Sequence, residues 1–124
     1  MPKLLIVDDE PANIELLARR LTRRGFEVVS ATSADEGIAK AVSEKPDVVL
    51  MDIKMPVVDG FEATRRLKAN AATRTIPVIA LTAHAMQEDR DQVIAAGADE
   101  YETKPVDLDR LLAKIRELVG RQTP

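Results

Sequence analysis

Short apolar runs alternate along this chain with segments whose apolar residues return every three or four positions, and few architectures accommodate that alternation. Residues 4–7, 48–51 and 78–81 are apolar at every position, the pattern of strands covered on both faces. Residues 27–31 and 99–102 carry the same signal more weakly and read as two further strands. Helical patterns lie between the runs. Ile14, Leu17, Ala18 and Leu21 make one apolar stripe, and Leu108, Leu111, Leu112, Ile115 and Val119 make another. Gly25 and Gly97 stand where helices end in a left-handed residue, while Pro46 and Pro77 stand at strand entrances, where a missing N–H is tolerated.

Five strands alternating with about five helices predict a parallel sheet covered on both faces, because right-handed crossovers leave few other arrangements. The expected fold is α/β and doubly wound, flavodoxin-like, with strand order 2-1-3-4-5. One domain is expected over residues 1–124, with its core at about 3–120, a size that buries about two-thirds of the unfolded surface. A content of 45% hydrophobic and 31% charged residues excludes a disordered chain. No apolar run approaches the ~18 residues of a membrane span, and residues 1–10 turn acidic too early for a secretory signal. The expected location is therefore the cytoplasm. With no cysteine, disulfides, thiol nucleophiles and cysteine-held metals are excluded, so any metal is held by oxygen or by His84.

The net charge is 18 − 21 = −3, which lacks the basic footprint of a nucleic-acid binder. Arg19, Arg20, Arg23 and Arg24 cluster just before Gly25, where cations suit the negative end of a helix; a docking surface for an acidic partner is the other reading.

In such a sheet, ligands bind beyond the carboxyl ends of the strands, where strand order reverses. Polar residues collect at those ends. Asp8 and Asp9, with Glu10 behind them, follow the first run; Asp52 ends the third; Thr82 ends the fourth; Lys104-Pro105 follows the fifth. Asp8 and Asp9 ahead of Pro11 also suit helix capping, and Asp9 is able to serve both ends. Three carboxylates from neighbouring strands repel one another by roughly 4 kcal/mol for a pair ~4 Å apart, so the cluster needs a cation. Carboxylate, carbonyl and water ligands favour Mg2+, with Mn2+ as the alternative. A carboxylate on a rigid strand end attacks phosphorus competently once a divalent cation neutralises the incoming oxygens. Thr82 and Lys104 supply the hydroxyl and ammonium that a bound phosphoryl group requires. The sequence leaves cis and trans both open for the Lys104-Pro105 bond.

These residues resemble the receiver (response-regulator) family of two-component signalling over essentially the whole chain. The match lies in Asp8-Asp9, Asp52 with Met55-Pro56 and Asp59-Gly60, Thr82-Ala83, and Lys104-Pro105, five features in the right order. The resemblance implies that Asp52 accepts a phosphoryl group from a phosphohistidine on a sensor histidine kinase or histidine phosphotransfer protein. It implies that Asp9, Asp52 and the main-chain carbonyl of Lys54 hold Mg2+, with Asp8 ordering its water shell, and that Lys104 pairs with a phosphoryl oxygen. Thr82 is similar to the family's switch hydroxyl and Tyr101 to its switch aromatic, so phosphorylation is expected to change the surface of the fourth helix, fifth strand and fifth helix. Lys54 and His84 flank the phosphoryl site at positions that vary in the family; a lone histidine without a carboxylate partner reads as a surface residue.

A haloacid-dehalogenase-like phosphatase also uses a strand-terminal aspartate and magnesium, but Lys54 stands where its general acid is required. A flavin-binding flavodoxin needs a phosphate cradle that Asp8-Asp9-Glu10 would repel. A docking module without phosphorylation leaves the complete acidic site unexplained. The expectation is thus a phosphoacceptor, not a turnover enzyme on an external substrate, signalling through contact with a downstream target protein. Residues 80–86 look like receivers of phosphorelays and hybrid kinases. A monomer is expected, with dimerisation on activation as the alternative, and neither nucleic acid nor membrane is an expected direct partner.

Overall fold

The computed structural model describes residues 2–55, 57–83 and 87–121, with the side chains of 87–89 and 121 left aside. Elements alternate strictly: β1 (Lys3–Val7), α1 (Pro11–Arg23), β2 (Glu27–Ala31), α2 (Ala34–Glu44), β3 (Val48–Asp52), α3 (Gly60–Ala69), β4 (Val78–Thr82), α4 (Gln87–Ala95), β5 (Glu100–Thr103) and α5 (Leu108–Arg121). All strand pairs are parallel, in the order β2-β1-β3-β4-β5. This is the expected doubly wound arrangement.

Alternation along the central strands explains why they are apolar throughout. Leu4, Ile6, Val48, Leu50, Ile79 and Leu81 pack with Ile14 and Leu21 of α1 and Leu111, Leu112 and Ile115 of α5. Their neighbours Leu5, Val7, Val49, Met51 and Val78 pack on the other face with Ala41 of α2 and Ala63 and Leu67 of α3. β2 and β5 are the edges of the sheet, and their partial exposure accounts for their weaker sequence signal. β5 begins at Glu100, one residue later than expected, since Asp99 spends its carboxylate on the Val78 N–H (2.8 Å) and the Lys68 ammonium (2.8 Å) at the strand entrance.

Both predicted glycine stops are present. Gly25 has φ +93°, with Phe26 N–H donating to Leu21 and Gly25 N–H to Thr22; Gly97 has φ +106°, with Ala98 N–H donating to Val93 and Gly97 N–H to Ile94. Each set is a Schellman motif, in which a left-handed residue satisfies the orphan carbonyls. Arg20 and Arg23 occupy the last turn of α1, as the helix dipole favours, and Arg19 pairs with Glu15 at 2.7 Å. At the other end of α1, the N-cap is Glu10, not Asp9, and it makes no side-chain cap bond. The dual role read for Asp9 is therefore corrected: Pro11 already lacks one of the donors that a cap would satisfy. Among the described residues, no helix is long and apolar enough to cross a membrane.

Candidate functional site

Register brings the acids together. Val7 and Met51 are partners across β1 and β3, so Asp8 and Asp52 emerge at one level of the sheet. Asp52 and Leu81 are partners across β3 and β4, and Thr82 pairs with Thr103 one step beyond, so all three polar strand ends border the same edge. Asp8, Asp52 and Thr82 are buried there, whereas Asp9 is half-buried. Ligand oxygens of Asp8, Asp9 and Asp52 lie within 4.8 Å of one another.

Lys104 enters from β5. Its Nζ lies 3.2 Å from Asp52 Oδ1 and 3.4 Å from Asp8 Oδ2, and its backbone N–H donates to the Thr82 carbonyl at 2.7 Å. The Lys104–Pro105 peptide bond is cis. Asp8 Oδ1 accepts the Glu10 N–H at 2.9 Å, which turns the chain off β1 toward α1. Asp52 Oδ1 accepts the Lys54 N–H at 3.4 Å, and Gly60 N–H donates to the Ile53 carbonyl at 2.9 Å, closing the loop between β3 and α3. The Lys54 side chain is exposed. His84 and Pro56 lie outside the described residues.

Burial pushes the Asp52 carboxyl above its ordinary range; the Lys104 charge opposes this and the Asp8 charge reinforces it. Among the described residues, one ammonium thus meets Asp8 and Asp52 with Asp9 beside them, a negative excess in a partly buried setting. The donor set among the described residues consists of hard carboxylate oxygens, which fits Mg2+ better than a softer metal. The five sequence-predicted residues Asp8, Asp9, Asp52, Thr82 and Lys104 all border this edge.

Tyr101 is half-buried on β5 and packs against a cluster of Ile53, Ala80, Val93 and Ala98. Its register partner is Ala80, so it shares a face of the sheet with Thr82 two residues further along β4. Two features escaped the sequence reading. One is a cavity of about 520 Å³ beside the site, between α1 and the segment after β5, lined by Asp8, Leu16, Leu17, Arg20, Lys104 and Val106. Its signal was Leu16, apolar and off the α1 stripe. The other is Glu102, buried on β5 beside Arg110 and Lys114 of α5; those two cations, four residues apart on one helix, were the legible hint.

The sequence matches the family Response regulator receiver domain over residues 4–116. It is 44% identical over 120 residues to Protein PilH of Pseudomonas aeruginosa, covering 97% of this chain and 99% of that protein. It is 40% identical over 121 residues to the DNA-binding dual master transcriptional regulator RpaA of Synechocystis sp., covering 98% of this chain but 50% of that one. The chain thus spans nearly all of Protein PilH but only about half, or about a quarter, of the other curated relatives it matches. Among solved structures, Vibrio cholerae chemotaxis protein CheY4 superposes with a TM-score of 0.89 at 30% identity, covering 95% of this chain and 98% of that one. The receiver domain of sensor histidine kinase PA1611 from Pseudomonas aeruginosa, which holds a magnesium ion in its active-site cleft, gives 0.88 at 33% identity, covering 96% and 98%. With fold, register, acidic cluster and sequence in agreement, this chain belongs to the response regulator receiver domain family of two-component signalling.

Proposed function

We propose that the chain is a single cytoplasmic receiver domain over residues 1–124, with its core at about 3–120, in which Asp52 accepts a phosphoryl group from a phosphohistidine. The donor is a sensor histidine kinase or a histidine phosphotransfer protein. The observation that carries the reading is the meeting of Asp52 with Asp8, Asp9 and Lys104 at one strand-end edge. An Asp52 carboxylate oxygen forms the bond to phosphorus as the bond from phosphorus to the donor imidazole nitrogen breaks, its electron pair leaving with the imidazole. Asp9, Asp52 and the Lys54 carbonyl would hold Mg2+, with Asp8 ordering its water. The ion's contribution when bound is to neutralise charge on the phosphoryl oxygens. Lys104 then exchanges its contact with Asp52 for one with a phosphoryl oxygen.

The same residues propagate the change. Phosphorylation adds about −1.5 to −2 charges and three acceptor oxygens. Thr82 follows them with its hydroxyl, and Tyr101, on the same face, moves toward the space Thr82 leaves, reshaping the surface of α4, β5 and α5 for a downstream target protein. The protein modifies itself and is not a turnover enzyme on an external substrate; a place as a phosphorelay intermediate fits this chemistry. The chain acts as a monomer, with dimerisation on activation as the alternative, and a net charge of −3 fits the lack of direct contact to nucleic acid. Incubation with a small acyl phosphate and Mg2+ is expected to add the mass of one phosphoryl group. Chelation of the metal and Asp52→Asn each abolish the adduct; absence of any adduct on the unaltered chain overturns the reading.

A further inference from the structure

Two cations stand over the Tyr101 ring. The Arg90 guanidinium of α4 lies 4.9 Å from its centroid and the Lys114 ammonium of α5 lies 5.0 Å from it, both within cation–π range. Lys114 is held in place from three sides. It donates to the backbone carbonyl of Tyr101, lies 3.7 Å from Glu100 Oε1, and lies 3.1 Å from Glu102 Oε2.

Glu102 is what makes this arrangement rigid. Among the described residues it is the one buried carboxylate outside the Asp8–Asp9–Asp52 edge. Its Oε1 accepts the Thr103 N–H and meets Arg110 at 3.5 Å. Its Oε2 lies close to Lys114 but outside hydrogen-bonding direction and receives no other donor. Lys114 is therefore the cation that faces Oε2, as Arg110 faces Oε1, and withdrawing that ammonium would leave the buried Oε2 without a neighbouring charge. Alternation along β5 sends Tyr101 and Glu102 to opposite faces, so Lys114 reaches around the edge strand to touch both.

We infer that Glu102, Lys114 and Arg90 form a clamp on Tyr101 that ties α4 and α5 to β5 and biases the receiver toward its unphosphorylated conformation. A cation attracts the ring only while the ring lies beneath it, so inward movement of Tyr101 forfeits contacts that the resting state keeps. Such a difference between two states is what sets their ratio. The inference rests on the phosphoacceptor reading for the direction in which Tyr101 moves; Lys114 and Glu102 act as positioning residues through it.

Tyr101 is the only tyrosine and the chain has no tryptophan, so ultraviolet fluorescence reports on this ring cleanly. Two measurements test the clamp: acrylamide quenching of the unmodified protein, and the concentration of beryllofluoride, a stable phosphoryl mimic, that half-saturates it in Mg2+. Lys114→Leu is expected to raise quenching and lower the half-saturating concentration about fivefold, the effect of one modest cation–π contact. Glu102→Gln shifts both in the same direction by releasing Lys114, and Arg90→Gln does so from α4. The paired Glu102→Met/Lys114→Leu variant removes the buried carboxylate together with its partly exposed cation, so it folds without an uncompensated Oε2 and is expected to match Lys114→Leu.

An unchanged or raised half-saturating concentration in the folded variants overturns the bias, even where melting temperature falls, because a merely structural ion pair moves only the latter. Unchanged quenching overturns the clamp itself. If the unaltered protein takes up no beryllofluoride in Mg2+, the phosphoacceptor reading fails, and quenching alone then decides whether the ring is held.

Discussion

Gly60 presses its α-carbon against the backbone of Asp52. A Cβ built on Gly60 would lie 3.0 Å from the Asp52 carbonyl carbon and 2.7 Å from Ile53 Cα. These are main-chain atoms of the segment that aims the Asp52 carboxylate, and they have no rotamer by which to yield. Gly60→Ala is therefore expected to cost about 1–3 kcal/mol, the range for overpacking a close-packed interior, and to slow phosphorylation by a small acyl phosphate. Chemical denaturation and the rate of adduct formation check the two parts; a variant with both unchanged would show that the loop gives way freely.

The raised proton affinity of Asp52 fixes a pH dependence. Its folded carboxyl binds a proton more tightly than the unfolded one, whose ordinary value is 3.8. The corresponding stability is present in full below that value and is lost as pH rises through the folded value. At neutral pH without metal, the ionised carboxylate therefore works against the fold. Asp52→Asn is expected to raise stability at pH 7 by about 1 kcal/mol, a typical scale for a buried polar change, with the gain shrinking as pH falls toward 3.8. Thermal melts of both proteins across that range in chelator provide the measurement, and a gain that is constant with pH would contradict it.

Much of this was legible because it lies in pattern. Leu4 and Ile6 face one helical layer while Leu5 and Val7 face the other, and burial on both sides is what made the run continuous. The acidic edge was legible because Asp8, Asp52 and Thr82 each break such a run at its carboxyl end, where a parallel sheet places its ligands. What stayed hidden depends on packing between distant elements. β5 reads Glu-Tyr-Glu-Thr, and nothing in those four residues tells that Glu102 is buried and Glu100 partly exposed; Lys114 and Arg110, supplied by α5, decide it. Likewise, that Lys104 in the unmodified chain bridges Asp52 and Asp8 follows from where the backbone turns after Thr103.

Lys104 is, among the described residues, the only cation within ion-pair distance of Asp8 and Asp52. Lys104→Met leaves three acids facing one another without a positive charge, so the metal-free protein is expected to lose about 1–3 kcal/mol, a figure lowered from the fully buried case because the ammonium is partly wet. Mg2+ replaces the missing charge. The rise in melting temperature on adding it should then be larger in Lys104→Met than in the unaltered chain, opposite in sense to Asp52→Asn, where it should be smaller. Equal magnesium shifts in all three proteins would place the ion elsewhere.

Val57 stands in the loop between β3 and α3 with φ +67° and its side chain fully exposed. A β-branched residue is poorly suited to the left-handed region, where its Cβ crowds the following carbonyl by about 1–2 kcal/mol. No burial offsets that cost. Glycine removes the crowding but gives back part of the gain through greater freedom in the unfolded chain. Val57→Gly is therefore expected to stabilise the protein by up to about 1 kcal/mol, while the rate of phosphorylation by a small acyl phosphate stays the same, since Val57 supplies no group to the acidic edge. A loss of stability would mean that the valine side chain has packing partners in solution.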